Sequence, residues 1–199
     1  MNKSIAIAIV AAIALMGAAF WLVRSADSPK PALLNRRIAL PDFELFDQNG
    51  KRFSREDLKG KITIAQFIFT RCPSACPAMT RRAAELYALY KDAPEVQLIS
   101  ITVDPANDTQ EVLRRYAQAL GVTDERWKFL RCDSLQTIVN LCEKGFLLAA
   151  ENLPSAHPTK FIVIDQNARV CAYYDYDDPK LIELITLAVR WLASEANRF

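Results

Sequence analysis

The chain has 199 residues, 51% of them hydrophobic and 24% charged, with 25 Lys+Arg against 23 Asp+Glu and a formal net charge of +2. That length holds one domain with a sizeable core plus an appendage, and the composition is that of a globular protein without low-complexity tracts. A near-balanced charge with no lysine/arginine run and no basic-aromatic stripe excludes nucleic acid as a predicted partner.

From Ile5 to Val23 the sequence reads IAIAIVAAIALMGAAFWLV, nineteen residues without a charge between Lys3 and Arg24. At about 1.5 Å per residue such a helix spans roughly 30 Å, enough to cross a bilayer. The apolar region of a signal peptide usually runs about 7–15 residues. Residues 1–24 therefore read as an uncleaved transmembrane anchor, with cleavage near Gly17-Ala18-Ala19 as the alternative. Trp21 suits an interfacial position. A single N-terminal anchor before a folded domain predicts that the domain lies on the exported, periplasmic or extracytoplasmic side. Residues 25–40, with two prolines and mixed charges, read as a linker.

PDFELFDQNGKRFS alternates apolar and polar residues around Asn49-Gly50 and predicts a β-hairpin. KITIAQFIF (61–69) reads as a buried strand, followed by a helix over 77–93 with Pro77 at its first position. EVQLISITV (95–103) predicts a second buried strand. A helix follows, with Asp108 or Thr109 as its N-cap and Gly121 at its stop. WKFL is a short strand, and DSLQTIVNLCEKG a helix capped by Asp133 or Ser134. KFIVID and RVCAYYD are two strands joined by a turn at Asp165, and a last helix runs from about Pro179 to Ala193. Alternating β and α elements imply a parallel core sheet with an antiparallel addition from the closing β-β-α. The predicted fold is α/β, a thioredoxin-like domain over 41–199 with an added N-terminal hairpin.

Cys72 and Cys76, in FTRCPSACP, fall in the loop between the first core strand and its helix. Ligands of open α/β sheets bind beyond the carboxyl ends of the strands. Cys76, placed immediately before the helix, meets unsatisfied N–H groups that favour a thiolate, and Arg71 adds positive charge. The three-residue spacer permits a structural disulfide, a redox pair or two soft donors to a shared metal ion. Thiolates favour Cu(I), and an added imidazole suits Cu(II) or Zn(II) as well. His157 is the one histidine of the chain, on the loop before a predicted core strand. Taken alone, such a residue is more often a satisfied surface or core group than a ligand. In a thioredoxin-like fold, this loop approaches the first strand–helix junction.

FTRCPSACP, ITVDPANDTQEVL and HPTKFIVID, in that order and preceded by GKITIAQFIFT, together resemble the Sco/SenC family, copper-binding assembly factors of cytochrome c oxidase. The resemblance runs from about Pro41 to the final helix. It implies a membrane-tethered thioredoxin-like domain that binds copper, as Cu(I), Cu(II) or both, through Cys72, Cys76 and His157. It also implies transfer to the oxidase's copper-binding subunit by ligand exchange, with another copper chaperone or a thioredoxin-like reductant as a further partner. Transfer calls for loops around Cys72 and His157 that are open to solvent. The competing reading is a tethered thiol–disulfide oxidoreductase, in which Cys72 and Cys76 are the redox pair and His157 is dispensable.

Pro158 departs from the small hydroxyl residue common after the family's histidine. It removes a backbone donor, and because such hydrogen bonds often fix ligand orientation, affinity or preferred oxidation state is expected to differ from the family. Cys132, Cys142 and Cys171 lie outside the motif. Cys142 and Cys171 read as small buried hydrophobes, and a Cys132–Cys142 disulfide is conceivable. Asp104 in TVDP ends the second strand on the motif's rim. It reads either as a turn aspartate or as a carboxylate that tunes the site's charge or meets a partner.

Overall fold

The structure, a computed structural model, describes residues 31–196. The predicted anchor and the first part of the predicted linker lie outside these residues. Among the described residues no helix is long and apolar enough to cross a membrane.

Eight strands form two sheets. The main sheet comprises β1 (Ile38–Ala39), β4 (Ile62–Ile68), β5 (Val96–Thr102), β6 (Trp127–Leu130), β7 (Lys160–Ile164) and β8 (Arg169–Asp175), in the spatial order β1-β8-β7-β4-β5-β6. β4, β5 and β6 are parallel, and β7, β8 and β1 run antiparallel to their neighbours. β2 (Glu44–Phe46) and β3 (Arg52–Ser54) form the separate predicted hairpin. In its turn the Asp47 carboxylate accepts from the N–H groups of Asn49 and Lys51, at 2.8 and 2.9 Å. Gly50 has φ +82°, a left-handed conformation that favours glycine. The α/β thioredoxin-like class and its added hairpin are thus both present.

The central strand β4 is buried along its whole length, because helices and loops cover both faces of the sheet. Its alternation sorts the core. Ile62, Ile64 and Ile68 pack with Met79 and Leu86 of α1 (Ala75–Leu89), Leu113 of α2 (Gln110–Ala119), and Ile185 and Leu192 of α4 (Leu181–Ala196). Ala65 and Phe67 face the other way, towards Leu45 and Phe53 of the hairpin, Ile138 of α3 (Leu135–Asn140) and Phe146. Each of the Ile, Leu, Met and Phe side chains among them contributes roughly 1.5–3 kcal/mol on full burial. The strand end that carries the cysteine loop is therefore held between two cores.

Local differences from the predicted elements have local causes. α1 begins at Ala75, two residues before Pro77, so Cys76 lies inside the first turn rather than ahead of it. Thr109, not Asp108, caps α2, its Oγ1 accepting from Val112 N at 3.3 Å. α3 is short and continues as a π turn over Leu141–Gly145. Ile38–Ala39, in the predicted linker, pair with Val170 and Arg169 as β1. Leu34 N donates to Cys171 O and Leu40 N to Ala168 O. Arg37 fastens this segment through the buried Asp165 carboxylate, at 3.0 Å, and through Glu195.

Candidate metal centre

β4 ends at Ile68, and Cys72 N donates to Phe69 O at 3.2 Å, closing a tight turn with Thr70 and Arg71 at its centre. Pro73 and Ser74 then lead into α1, whose first turn contains Cys76. His157 arrives from the loop before β7. Its Nε2 stands 3.3 Å from Cys76 Sγ and 3.8 Å from Cys72 Sγ. One donor atom from each of the three residues lies within 4.8 Å of the others, and no other such group of His, Cys, Asp or Glu occurs among the described residues. The structure thus brings together residues separated by 81 and 85 positions in the chain.

The imidazole is oriented at both ends. Nδ1 lies 3.1 Å from the Pro158 carbonyl oxygen, which only accepts, so Nδ1 carries a proton and Nε2 is the ring atom turned to the sulfurs. Phe69 meets the ring edge-on, with centroids 5.4 Å apart. The acceptor at residue 158 is a backbone carbonyl, available whatever the side chain. Proline at this position therefore leaves the hydrogen bond that orients the ligand intact.

The thiols are inequivalent, in the opposite sense to that predicted. Burial disfavours the Cys72 thiolate, but the backbone N–H groups of Cys76 and Ser74, the Ser74 hydroxyl and His157 outweigh it and bring the pKa down to about 6. The helix N-terminus therefore serves Cys72, since the Cys76 amide points at the Cys72 sulfur. Burial pushes the Cys76 thiol up to about 12 despite a hydrogen bond from the Phe69 backbone, with Cys72 and Asp108 adding to the rise. Nor are the donors open to solvent: Cys72, Cys76 and His157 are 8%, 2% and 7% exposed. The neighbouring Arg71, Pro73, Ser74, Pro77, Ser155 and Ala156 form an exposed rim.

Asp104 is buried beneath that rim, where its carboxylate accepts from Arg71 at 3.3 Å and from Asn107 Nδ2 at 2.8 and 3.0 Å. Asp165 opens the β7–β8 turn as predicted, accepting from Asn167 N and Arg169 N. Cys132, Cys142 and Cys171 are buried free thiols apart from the site, without the conceivable Cys132–Cys142 disulfide. Burial pushes the thiols of Cys142 and Cys171 up to about 12. The sequence reading overlooked Phe69, which flanks His157, and Thr70, which binds Asp108. Phe69 directly precedes the motif but looked like the end of a core strand.

The family model described as SCO1/SenC matches residues 32–193. The SCO1 protein homolog of Bacillus subtilis is 31% identical over 147 residues, which cover 68% of this chain and 76% of that protein. Among solved structures, BsSco, described as a member of the Sco family of cytochrome c oxidase assembly proteins in which a disulfide switch was identified, superposes with a TM-score of 0.72. It is 26% identical and covers 83% of this chain and 96% of its own. ScoI of Bradyrhizobium japonicum, solved with copper bound, gives a TM-score of 0.59 at 25% identity, covering 75% of this chain and 98% of that one. With its model matched across nearly the whole described domain, and with two cysteines and a histidine converging at the strand–helix junction, the chain belongs to the SCO1/SenC family.

Proposed function

We propose that the chain is a copper-binding assembly factor that holds copper on Cys72 Sγ, Cys76 Sγ and His157 Nε2 and delivers it to the copper-binding subunit of cytochrome c oxidase. The observation that carries this reading is the convergence of the three donors within 4.8 Å. Two thiolates supply a soft pair for Cu(I), and the imidazole extends the set to Cu(II). Binding the ion displaces the Cys76 proton, since a coordinating thiol is deprotonated outright. Delivery proceeds by ligand exchange, with an acceptor thiolate replacing one donor at a time. Residues 1–24 anchor the protein, a short linker follows, and the copper-binding domain on the exported side includes the segment 34–40 that pairs with β8. A second copper chaperone loads it, or a thioredoxin-like reductant resets its thiols.

The test is copper stoichiometry and affinity on the reduced full-length protein and its His157→Ala variant. A competing chelator reports Cu(I), and thiolate charge-transfer absorption reports Cu(II). One tight copper per chain, weakened in the variant, is the expected result. Unchanged affinity for both oxidation states in His157→Ala would sink the three-ligand model. A thiol–disulfide oxidoreductase is the second reading, favoured by the pairing of a Cys72 thiol near pKa 6 with a buried Cys76 near 12, an attacking and a resolving thiol. It predicts thiol exchange that survives His157→Ala.

A further inference from the structure

Asp108 carries a carboxylate with no exposed surface, a costly placement for a charge unless hydrogen bonds replace its water. Its partners come from two strand ends. Thr70 donates to it through both its N–H, at 3.1 Å, and its hydroxyl, and the Thr102 hydroxyl at the end of β5 donates as well. The nearby Arg131 does not neutralise the carboxylate. Its guanidinium pairs with Asp133 and donates to the Asp108 backbone carbonyl. Helix capping does not explain Asp108 either, because Thr109 performs it.

What the carboxylate does hold is the centre of the turn that delivers Cys72. Thr70 is the first central residue of the Phe69–Cys72 turn, so two hydrogen bonds to Asp108 fix that turn's direction as it leaves the sheet. The other central residue, Arg71, is tied only by its ion pair to Asp104. The Asp104 side chain is only 9% exposed, but the guanidinium is 64% exposed, so solvent screens the pair. The buried contact is therefore the stronger of the two pins.

We propose that Asp108 is the positioning residue of the metal centre: through Thr70 it holds the Cys72–Cys76 loop in the geometry in which both sulfurs face His157 Nε2. The proposal rests on the copper-binding reading for its first readout but not for its second. The variants, in the full-length protein, are Asp108→Asn, Thr70→Val and Thr70→Ser. Thr63→Val is the control: it removes a buried hydroxyl that accepts from Gln97, from the same strand but roughly 20 Å away along it.

The first readout is Cu(I) affinity together with the position of the Cu(II) charge-transfer band. Thr70→Val weakens binding by about 10–100-fold, as expected for loss of a group that orients ligands, and shifts the band. Thr70→Ser restores both, and Thr63→Val lowers the melting temperature without moving either. Asp108→Asn gives at least the Thr70→Val effect if it folds. The second readout is the reduction potential of the Cys72–Cys76 disulfide, which needs no metal and is expected to shift in Thr70→Val but not in Thr70→Ser. Wild-type protein that binds no copper would overturn the proposed function while leaving this second readout to decide on Asp108. Wild-type affinity and potential in Thr70→Val, or losses in Thr70→Val matched by Thr63→Val, would overturn the positioning role.

Discussion

Residues 69–76 and residues 147–159 each deliver donor atoms to the same point, and they are secured in different ways. The cysteine segment is tied at Phe69, Thr70 and Arg71 to its own turn, to Asp108 and to Asp104, and it runs directly into α1. The histidine segment is anchored near its ends, by Leu148 N to Cys142 O and by Tyr176 N to Thr159 O. Between these points the backbone hydrogen bond among described residues is internal, from Ala156 N to Asn152 O. Leu147 and Asn152 adopt positive φ of 50° and 58°, and Leu147 is 58% exposed. The sulfurs belong to the scaffold, whereas the imidazole is brought to them by a span held mainly through side-chain packing. A three-ligand site built in this way has one ligand whose release disturbs least, so the contrast predicts that His157 yields first when copper moves on.

Removal of single ligands tests that division most severely. Cys72→Ser and Cys76→Ser each lower Cu(I) affinity by at least about 1000-fold, or about 4 kcal/mol. His157→Ala lowers it by only about 10–100-fold while abolishing the Cu(II) charge-transfer signature, because Cu(I) tolerates two soft donors. Equal losses in all three, measured by chelator competition, would erase the distinction between the halves. Within the fixed half, the two thiols should separate by reactivity. A Cys72 pKa near 6 means its thiolate dominates above pH 6 and falls about tenfold per unit below it, whereas Cys76 stays protonated up to about pH 12. Mass spectrometry of metal-free protein treated with iodoacetamide at pH 7 is expected to find Cys72 labelled at least about 100-fold faster than Cys76. Comparable rates would mean that the helix amides do not serve Cys72.

Smaller effects are expected away from the donors. Cys171→Ala should cost about 1 kcal/mol in denaturant unfolding, the order of a small cavity in a packed core. Copper stoichiometry should remain at one, since Cys171 is fully buried and apart from the site. A second copper lost in this variant would show that the motif is not the whole site. Pro158→Ala is expected to change copper affinity by less than about threefold, because His157 Nδ1 uses the backbone carbonyl at that position. A tenfold loss would show that the ring conformation of the proline, rather than its carbonyl, orients the histidine half.

The chain order of strands and helices was legible because β4 and β5 are short, mostly apolar runs with many β-branched residues and the helices carry caps such as Thr109 and Ser134. The cysteine pair was legible from its place between strand and helix. The direction of the thiol asymmetry was not. It depends on α1 starting at Ala75 rather than Pro77, a two-residue difference that turns the Cys76 amide towards the Cys72 sulfur. Asp108 was seen only as a capping residue because its partner Thr70 lies 38 positions away. β1 was invisible as well: two residues carry no periodicity, and their strand character comes from pairing with β8.

That short strand has a practical consequence. β8 would otherwise be the outer member of the sheet, presenting free N–H and C=O groups along Ala168–Cys171, and segment 34–40 satisfies them. An uncovered strand of this kind is a template for pairing with a second molecule. A version of the protein trimmed to the start of the predicted domain at Pro41 would lose this cover and the Arg37 clamp together. It would tend to associate through β8, and that association would be an artefact of the cut. Any shortened version has to keep residues 34–40.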